Sequence, residues 1–484
     1  MMPEGRTWDR EALGDLVRER LGERRLIVVS NREPYVHARR DGNLAWSRPV
    51  GGLTEALDPV MQASGGCWVA LGTGDADREA VDDRDRVAVP PDNPRYTLRR
   101  VWLTGEDYRG YYLGFANETL WPLCHAAFVR PAFGEAAREA YRRVNRLFAE
   151  AVLEEAGGGP AVVLVQDYHF ALLPALLKER RPDLTVGQFW HIPWPPWEVF
   201  RTCPWRDEIV TGLLGNDLLG FHLPSFGRNF KEAADRCCPA ATGGTAVEAF
   251  PISVDFEAIS TQAADPAVEL EMEDLSRTYE LEGKYLGFGL DRLDYTKGIP
   301  ERLAAYRRFL EENPDYLGSV VFVQAGMPSR TQIDAYQDLG FRVEGLIADI
   351  NETFGTAVWQ PVVALSRHLA PVTLNALRRL ARFCIVSSLD DGMNLVAKEF
   401  VAARNDEDGV LLLSEFAGAA AELPEALPVN PYDTAGFAAA IRQALEMPEE
   451  ARRDRMRAMR ETVREHNIYK WGADIVARLL EQTP

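Results

Sequence analysis

Short, predominantly apolar runs, each ending in or followed by polar or charged residues and most followed by a helical pattern, recur along this chain of 484 residues. Leu26 to Ser30 (LIVVS), Ala161 to Val165 (AVVLV), Thr185 to Trp190 and Leu218 to His222 form one series. Lys284 to Leu290, Val320 to Gln324, Phe383 to Val386 and Leu411 to Leu413 form a second. A strand that is apolar at every position must be covered on both faces, which is the condition of a central strand in a parallel sheet. Parallel neighbours need a crossover, and a helix supplies it. The fold class that follows is α/β, with two doubly wound, Rossmann-like domains facing each other across a cleft.

The order restarts around Phe250-Pro251-Ile252-Ser253, so the first domain is placed at 26–252 and the second at 253–467. Residues 1–25 carry Glu4, Asp9, Glu11, Asp15, Glu19 and Glu23 among arginines. That charge pattern fits neither a secretory signal nor a transit peptide, and it reads as an appended amphipathic helix. At the other end, 468–484 holds Trp471, Ile475 and Leu479 at i, i+4 and i+8, a stripe that has to pack on something. The expectation is a C-terminal helix crossing back to the first domain.

In open α/β sheets, ligands meet the carboxyl ends of strands, so the residues after each run are the candidates for chemistry. Arg32 follows the first run, Asp167-Tyr168-His169 the second, and His191 opens a proline-rich loop after the third. Arg292 and Lys297 flank a strand-to-helix turn, and Pro300 suits the first turn of the helix that follows. Arg330 lies just beyond the next strand. After Phe383 to Val386, Asp390-Asp391-Gly392 reads as a tight turn and Asn394 onward as a helix. The unpaired N–H groups and positive dipole end of such a helix seat an anion such as a diphosphate, and Gly392 lets the backbone come close. Glu399, farther down that helix, is placed to hydrogen-bond a sugar hydroxyl. Paired glycines at Gly51 and Gly52, before a helix read from Thr54 onward, can bring backbone amides to a phosphate. Tyr111, Tyr112, Phe115, Trp121 and His125 crowd one segment; core packing explains such a cluster, and so does a sugar face.

A net charge of −19 argues against a nucleic-acid or anionic-membrane surface, so a phosphorylated ligand needs a local basic pocket. The six cysteines show no CxxC spacing, which suggests neither zinc nor disulfides and reads as reduced thiols in a cytoplasmic protein. No apolar run approaches the ~18 residues needed to span a bilayer. Asp75-Ala76-Asp77 and Asp83-Arg84-Asp85 are formally DxD motifs, but their hydrophilic segment reads as a solvated loop, and no metal is assigned.

Taken together, seven ordered motifs resemble the trehalose-6-phosphate synthase family, glycosyltransferase family 20. They are SNR at Ser30 to Arg32, GGL at Gly51 to Leu53, YY then NETLWP within Tyr111 to Pro122, QDYH at Gln166 to His169, HIPWP at His191 to Pro195, RLDYTKG at Arg292 to Gly298 and DGMNLVAKEF at Asp391 to Phe400. The resemblance covers nearly the whole chain from about Leu26. It implies the GT-B architecture and a retaining, metal-independent transfer of glucose from a nucleotide-glucose donor to a phosphorylated acceptor. With glucose 6-phosphate as acceptor, the product is trehalose 6-phosphate. For the donor it implies Arg292 and Lys297 at the diphosphate, Glu399 at the ribose hydroxyls, Asp391, Gly392, Met393, Asn394 and Leu395 at the glucose, and Gly52 approaching the phosphates. For the acceptor it implies Arg32 and Arg330 at the phosphate, Tyr112 and Trp121 packed around it, and Asp167 and His191 at the sugar hydroxyls. Asp167, His191, Arg292 and Lys297 form the implied catalytic set. No cofactor is implied; the partners are the two small-molecule substrates, with neither nucleic acid nor membrane, and a homo-oligomer is compatible.

The chain departs from the family pattern at Leu71, where a second tryptophan is common, and at Trp197, where proline is usual. It also looks short between Arg236 and Phe250. These departures keep two other readings open: a related synthase using another phosphorylated acceptor (glucosylglycerol-phosphate synthase-like, or a pseudo-glycosyltransferase), and a catalytically silent ligand-binding regulator on the same fold.

Overall fold

Each of the apolar runs forms a strand in the computed structural model, which describes residues 7–49, 52–240 and 243–482. The chain divides into two compact units, Met1–Ile252 with Ile468–Pro484, and Ser253–Asn467.

The first unit contains β1 (Arg25–Ser30), β2 (Val36–Arg40), β3 (Asn43–Ser47), β4 (Cys67–Leu71), β5 (Arg86–Val89), β6 (Tyr96–Val101), β7 (Ala161–Gln166), β8 (Thr185–Phe189), β9 (Leu218–Phe221) and β10 (Ala246–Ala249). Eight of them form one sheet in the order β10-β9-β8-β7-β1-β4-β6-β5, while β2 and β3 make a separate hairpin. All neighbours are parallel except β5 on β6. β4, β7, β8 and β9 are buried at every residue, as their largely apolar sequences require, and the burial extends to Gln166, Thr185 and Gln188. The strand order reverses between β1 and β7, so the crevice at their carboxyl ends is the place for a ligand.

The C-terminal helix Ile468–Leu480 packs on β8 and β9 of this unit. Leu479 lies so close over Gly187 that a Cβ there would stand 2.8 Å from its Cδ1, and the Trp471 ring meets the Phe189 ring edge-on at 5.3 Å. The N-terminal helix Arg10–Leu21, capped by Asp9, buries Leu13, Val17 and Leu21 against the helices Gly52–Ser64 and Ile468–Leu480. It is therefore an integral layer of the unit rather than an appendage.

The second unit contains β11 (Tyr285–Leu290), β12 (Val320–Ala325), β13 (Val362–Leu365), β14 (Ala381–Val386), β15 (Val410–Ser414) and β16 (Leu427–Val429). Its sheet runs β13-β12-β11-β14-β15-β16, parallel throughout. Counted within the unit this is the Rossmann order 3-2-1-4-5-6, whose reversal falls between β11 and β14.

One segment differs from the sequence expectation. The loop with the DxD motifs is not simply solvated, because Asp77 is fully buried. Its carboxylate accepts the backbone N–H groups of His37 (2.7 Å), Thr73 (3.0 Å) and Gly74 (2.6 Å) and pairs with Arg100 at 2.8 Å. Backbone donors without strand partners needed an acceptor, and this aspartate serves them. The aromatic segment Arg109–Leu120 is a π-helix, whose Gly110 and Gly114 face Ala140 and Ala137 so closely that Cβ atoms would approach to 2.6 and 2.9 Å. Among the described residues no helix is long and apolar enough to cross a membrane, and no group of three or more His, Cys, Asp or Glu is arranged to hold a metal.

Candidate active site

In the second unit the loops after β11 and β14 are joined. Lys297 ends a short turn, Tyr295–Lys297, and its Nζ lies 2.5 Å from Asp391 Oδ2. The same carboxylate oxygen accepts from Ser388 Oγ at 3.1 Å and Asn394 Nδ2 at 3.2 Å. Leu389 N–H donates to Thr296 O at 2.7 Å, tying one backbone to the other. Gly298, at φ +60°, comes so close to Ser387 that a Cβ would stand 2.1 Å from its carbonyl oxygen, so the contact requires glycine. Arg292 is exposed and has no hydrogen bond or ion pair with any described residue.

Asn394, at φ +77°, caps the helix Leu395–Ala403 by accepting Ala397 N–H at 3.3 Å. The helix thus begins one residue later than the sequence suggests, with Asn394 as its cap. A third loop holds the turn in place: Asp391 N–H donates to Phe416 O (3.2 Å), Gly418 N–H to Asp391 O (3.1 Å) and Ala419 N–H to Met393 O (2.8 Å). The stretch from Asp391 to Met393 is therefore bonded like a strand, and the helix N-terminus is held ready for an anion.

Two predicted ligand-binding side chains have partners inside this unit. Glu399 is ion-paired through Oε2 with Arg378 of the helix Pro371–Leu380. Arg330 lies 3.0 Å from Asp294 Oδ2 and also donates to the Tyr336 hydroxyl. Only 5% of its side chain is exposed, so the structure puts it against a neighbouring carboxylate. Burial raises the Asp294 pKa, but Arg330, Arg292 and Lys297 outweigh it and hold the carboxyl below its usual range.

In the first unit, β1 runs into Ser30, whose hydroxyl donates to Arg32 O at 2.6 Å and accepts Trp68 Nε1 at 2.8 Å. Tyr111 fixes Asn31 through Oδ1 at 3.0 Å, and Arg32 is exposed beside it. β7 runs into Asp167 at φ +73°, a left-handed conformation that a non-glycine residue adopts only when its surroundings impose it. Its Oδ1 accepts Tyr168 N–H at 2.9 Å and His191 N–H at 3.2 Å, so one carboxylate joins the ends of β7 and β8. His191 Nε2 pairs with Gln166 Oε1 at 2.8 Å, and its ring packs among Phe189, His222 and Trp471. Burial, then the nearby His222 and His169, push its pKa well below the usual histidine value, so the ring is neutral at neutral pH.

Tyr112 stacks on His169 with ring centres 5.8 Å apart and on Tyr108 at 5.1 Å. Trp121 is 6% exposed and packs on His125 and Tyr168, so most of its ring belongs to the core. Gly52 opens the helix Gly52–Ser64, two residues ahead of the expected start, and Gly51 lies outside the described residues. Leu71 is buried at the end of β4, and Trp197 opens a short helix under the Arg236 guanidinium.

Sequence reasoning missed Asp294, Arg378, Ser387 and Arg302. Arg302 did leave a signal. It stands with Ile299, Tyr306 and Phe309 on the buried face of the helix Ile299–Glu312, and a charge within an apolar stripe needs a reason.

Residues 24–481 match the family described as Glycosyltransferase family 20. The chain is 41% identical over 483 residues to the trehalose-6-phosphate synthase of Mycobacterium avium (strain 104), with 96% of each covered. It is similar to the structure of an alpha,alpha-trehalose-phosphate synthase (UDP-forming) from Burkholderia xenovorans in complex with glucose-6-phosphate. That likeness has 32% identity and a TM-score of 0.83, over 94% of this chain and 99% of that one. A structure from E. coli bound with UDP-2-fluoro glucose is similar at 32% identity and a TM-score of 0.84, over the same shares.

Proposed function

The chain belongs to glycosyltransferase family 20, and on that footing we propose that it transfers glucose, with retention, from UDP-glucose to glucose 6-phosphate, giving trehalose 6-phosphate and UDP. The observation that carries this reading is the convergence of Lys297, Arg292 and the N-terminus of Leu395–Ala403 at the point where the second unit's strand order reverses. Two cations and a helix N-terminus are what a departing diphosphate needs, because its negative charge grows as the bond to glucose breaks. The likeness to structures holding glucose-6-phosphate and UDP-2-fluoro glucose supports the choice of substrates.

On donor binding, Lys297 passes from Asp391 to the diphosphate, which leaves Asp391 free to accept glucose hydroxyls beside the backbone of Gly392 to Leu395. Glu399 keeps Arg378 on Oε2 and offers Oε1 to the ribose. The acceptor phosphate meets Arg32, with Tyr112 and the exposed edge of Trp121 beside it, and Gly52 approaches the phosphates. Arg330 joins that phosphate by exchanging Asp294 for it. Asp167 and neutral His191 bind sugar hydroxyls. The attacking hydroxyl's proton goes to the departing phosphate oxygen on the same face, which gives retention without a protein nucleophile. No cofactor takes part. Substrates of this kind and six free cysteines favour a reducing, cytoplasmic setting.

The test is a matrix of nucleotide-glucose donors against glucose 6-phosphate, glycerol 3-phosphate and their unphosphorylated counterparts, with product identification. Trehalose 6-phosphate is expected from UDP-glucose and glucose 6-phosphate. Equal use of free and phosphorylated acceptors would rule the reading out.

A further inference from the structure

The guanidinium of Arg302 is fully buried where three strands of the second sheet end. Its Nη2 donates to Asp291 Oδ2 at 2.6 Å after β11, its Nη1 to Gln324 Oε1 at 3.0 Å on β12, and its Nε to Ser387 Oγ at 3.0 Å after β14. The Ser387 hydroxyl donates in turn to the carbonyl oxygens of Lys297 and Gly298, each at 2.9 Å. β11 makes room for the group at Gly289, where a Cβ would stand 2.3 Å from Nη1.

Stability alone does not call for this arrangement. Taking two charges out of water costs several kcal/mol per ion, and well-packed apolar side chains often do as well or better in such places. What the arrangement does fix is geometry. Asp291 directly precedes Arg292, and the carbonyl of Lys297 is held through one serine hydroxyl. A planar guanidinium donating in three directions sets all three strand ends relative to one another, with a rigidity that the rotatable donors of an ammonium lack.

We propose that Arg302, acting through Ser387 and Asp291, is the positioning residue for both cations of the donor site. The inference rests on the donor-site reading of Arg292 and Lys297 given above. Arg302 also works against the burial that raises the Asp291 pKa, and gives that carboxyl its counter-charge beneath the diphosphate seat. Displacing a group in such a site by about 1 Å costs roughly a hundredfold in rate, so small losses of register here are measurable.

The decisive variant is Ser387→Ala, which keeps the Arg302–Asp291 pair and removes the hydroxyl that links Arg302 Nε to the Lys297 and Gly298 carbonyls. Steady-state kinetics per folded molecule, thermal unfolding and UDP binding are compared with Arg302→Lys, Arg292→Ala and Lys297→Ala. Ser387→Ala is expected to lower kcat/KM for UDP-glucose about tenfold or more and to weaken UDP binding. KM for glucose 6-phosphate should stay within twofold, and Arg302→Lys should lose more than Ser387→Ala. A purely structural role would lower the unfolding temperature and leave these constants alone. Donor kcat/KM within twofold of wild type in Ser387→Ala would overturn the inference, whether or not Arg302→Lys folds. If Arg292→Ala and Lys297→Ala themselves kept wild-type kcat, the donor-site reading would fall and this inference with it. Loss in those two with none in Ser387→Ala would remove the positioning role alone.

Discussion

Gly418→Ala tests how tightly the donor loop is held. A Cβ at position 418 would stand 2.0 Å from the carbonyl oxygen of Gly392, 2.8 Å from its carbonyl carbon and 3.0 Å from Met393 Cα. All three are backbone atoms, so no rotamer change relieves the clash. Reaching ordinary contact at 3.4 Å requires the two backbones to separate by about 1.4 Å. Such a movement breaks the bonds from Gly418 N–H to Asp391 O (3.1 Å) and from Ala419 N–H to Met393 O (2.8 Å). Overpacking costs about 1–3 kcal/mol and each lost hydrogen bond about 1 kcal/mol, so a loss of about 3–5 kcal/mol is expected. Because the displaced residues are Gly392 and Met393, kcat should fall about a hundredfold as well. The assay is UDP release with UDP-glucose and glucose 6-phosphate, run beside thermal unfolding. Gly158→Ala is the control, since it is exposed, with nothing within 4 Å of a Cβ there. Wild-type kcat and an unchanged unfolding temperature in Gly418→Ala would refute the picture of a rigid, strand-like donor loop.

Burial, then a hydrogen bond with Asp77, raises the Glu33 pKa to about 8, with Arg100 pulling the other way. The folded state therefore keeps a proton that the unfolded state loses, and this group's contribution to stability falls as pH rises from about 4.5 to 8, by at most ~1.4 kcal/mol per unit. Unfolding temperatures across that window should favour Glu33→Gln progressively over wild type, and a constant difference would contradict the assignment. Arg378→Ala is expected to raise KM for UDP-glucose and lower stability by about 1–3 kcal/mol, because it leaves Glu399 without its partner; an unchanged donor KM would separate Glu399 from the nucleotide. Arg330→Ala should raise KM for glucose 6-phosphate, and adding Asp294→Asn should restore the unfolding temperature without restoring KM. Recovery of both would make Arg330 a partner of Asp294 alone.

The strands were legible because each apolar run is complete on its own: LIVVS and AVVLV need no knowledge of the rest of the chain to demand burial on both faces. The helix after the Asp390-Asp391-Gly392 turn and the stripe of Trp471, Ile475 and Leu479 are local in the same sense, although the turn did not reveal that Asn394 is the cap rather than the first helical residue. The charge pairs are not. Lys297 meets Asp391 at a separation of 94 residues, Arg330 meets Asp294 at 36, and Arg378 meets Glu399 at 21. Which carboxylate a cation takes depends on sheet order, and no run of sequence states its neighbours. Asp77 was misread for a related reason: an acidic, polar segment looks solvated until the backbone donors of His37, Thr73 and Gly74 are seen to converge on one of its carboxylates. The π-helix left no mark in the hydrophobic period, and only the spacing of Gly110 and Gly114 hints at the close helix beside it.

One local pattern was present in both units and becomes readable only with the structure. In each, the first strand of the parallel sheet is followed by a buried polar residue and then by an exposed arginine: Ser30, Asn31, Arg32 after β1, and Leu290, Asp291, Arg292 after β11. The middle residue is anchored in both cases, Asn31 by the Tyr111 hydroxyl and Asp291 by the Arg302 guanidinium. Both strands border the point where their sheet's order reverses. A side chain tied down at one position limits the backbone freedom of the next, so the anchor restricts where the arginine can go while the arginine itself stays open to solvent. The same device thus recurs in either unit, with a neutral anchor in the first and a charged one in the second. The difference matters chemically: a neutral amide adds no charge beside Arg32, whereas the Asp291–Arg302 pair adds rigidity beneath the diphosphate seat proposed for Arg292 and Lys297.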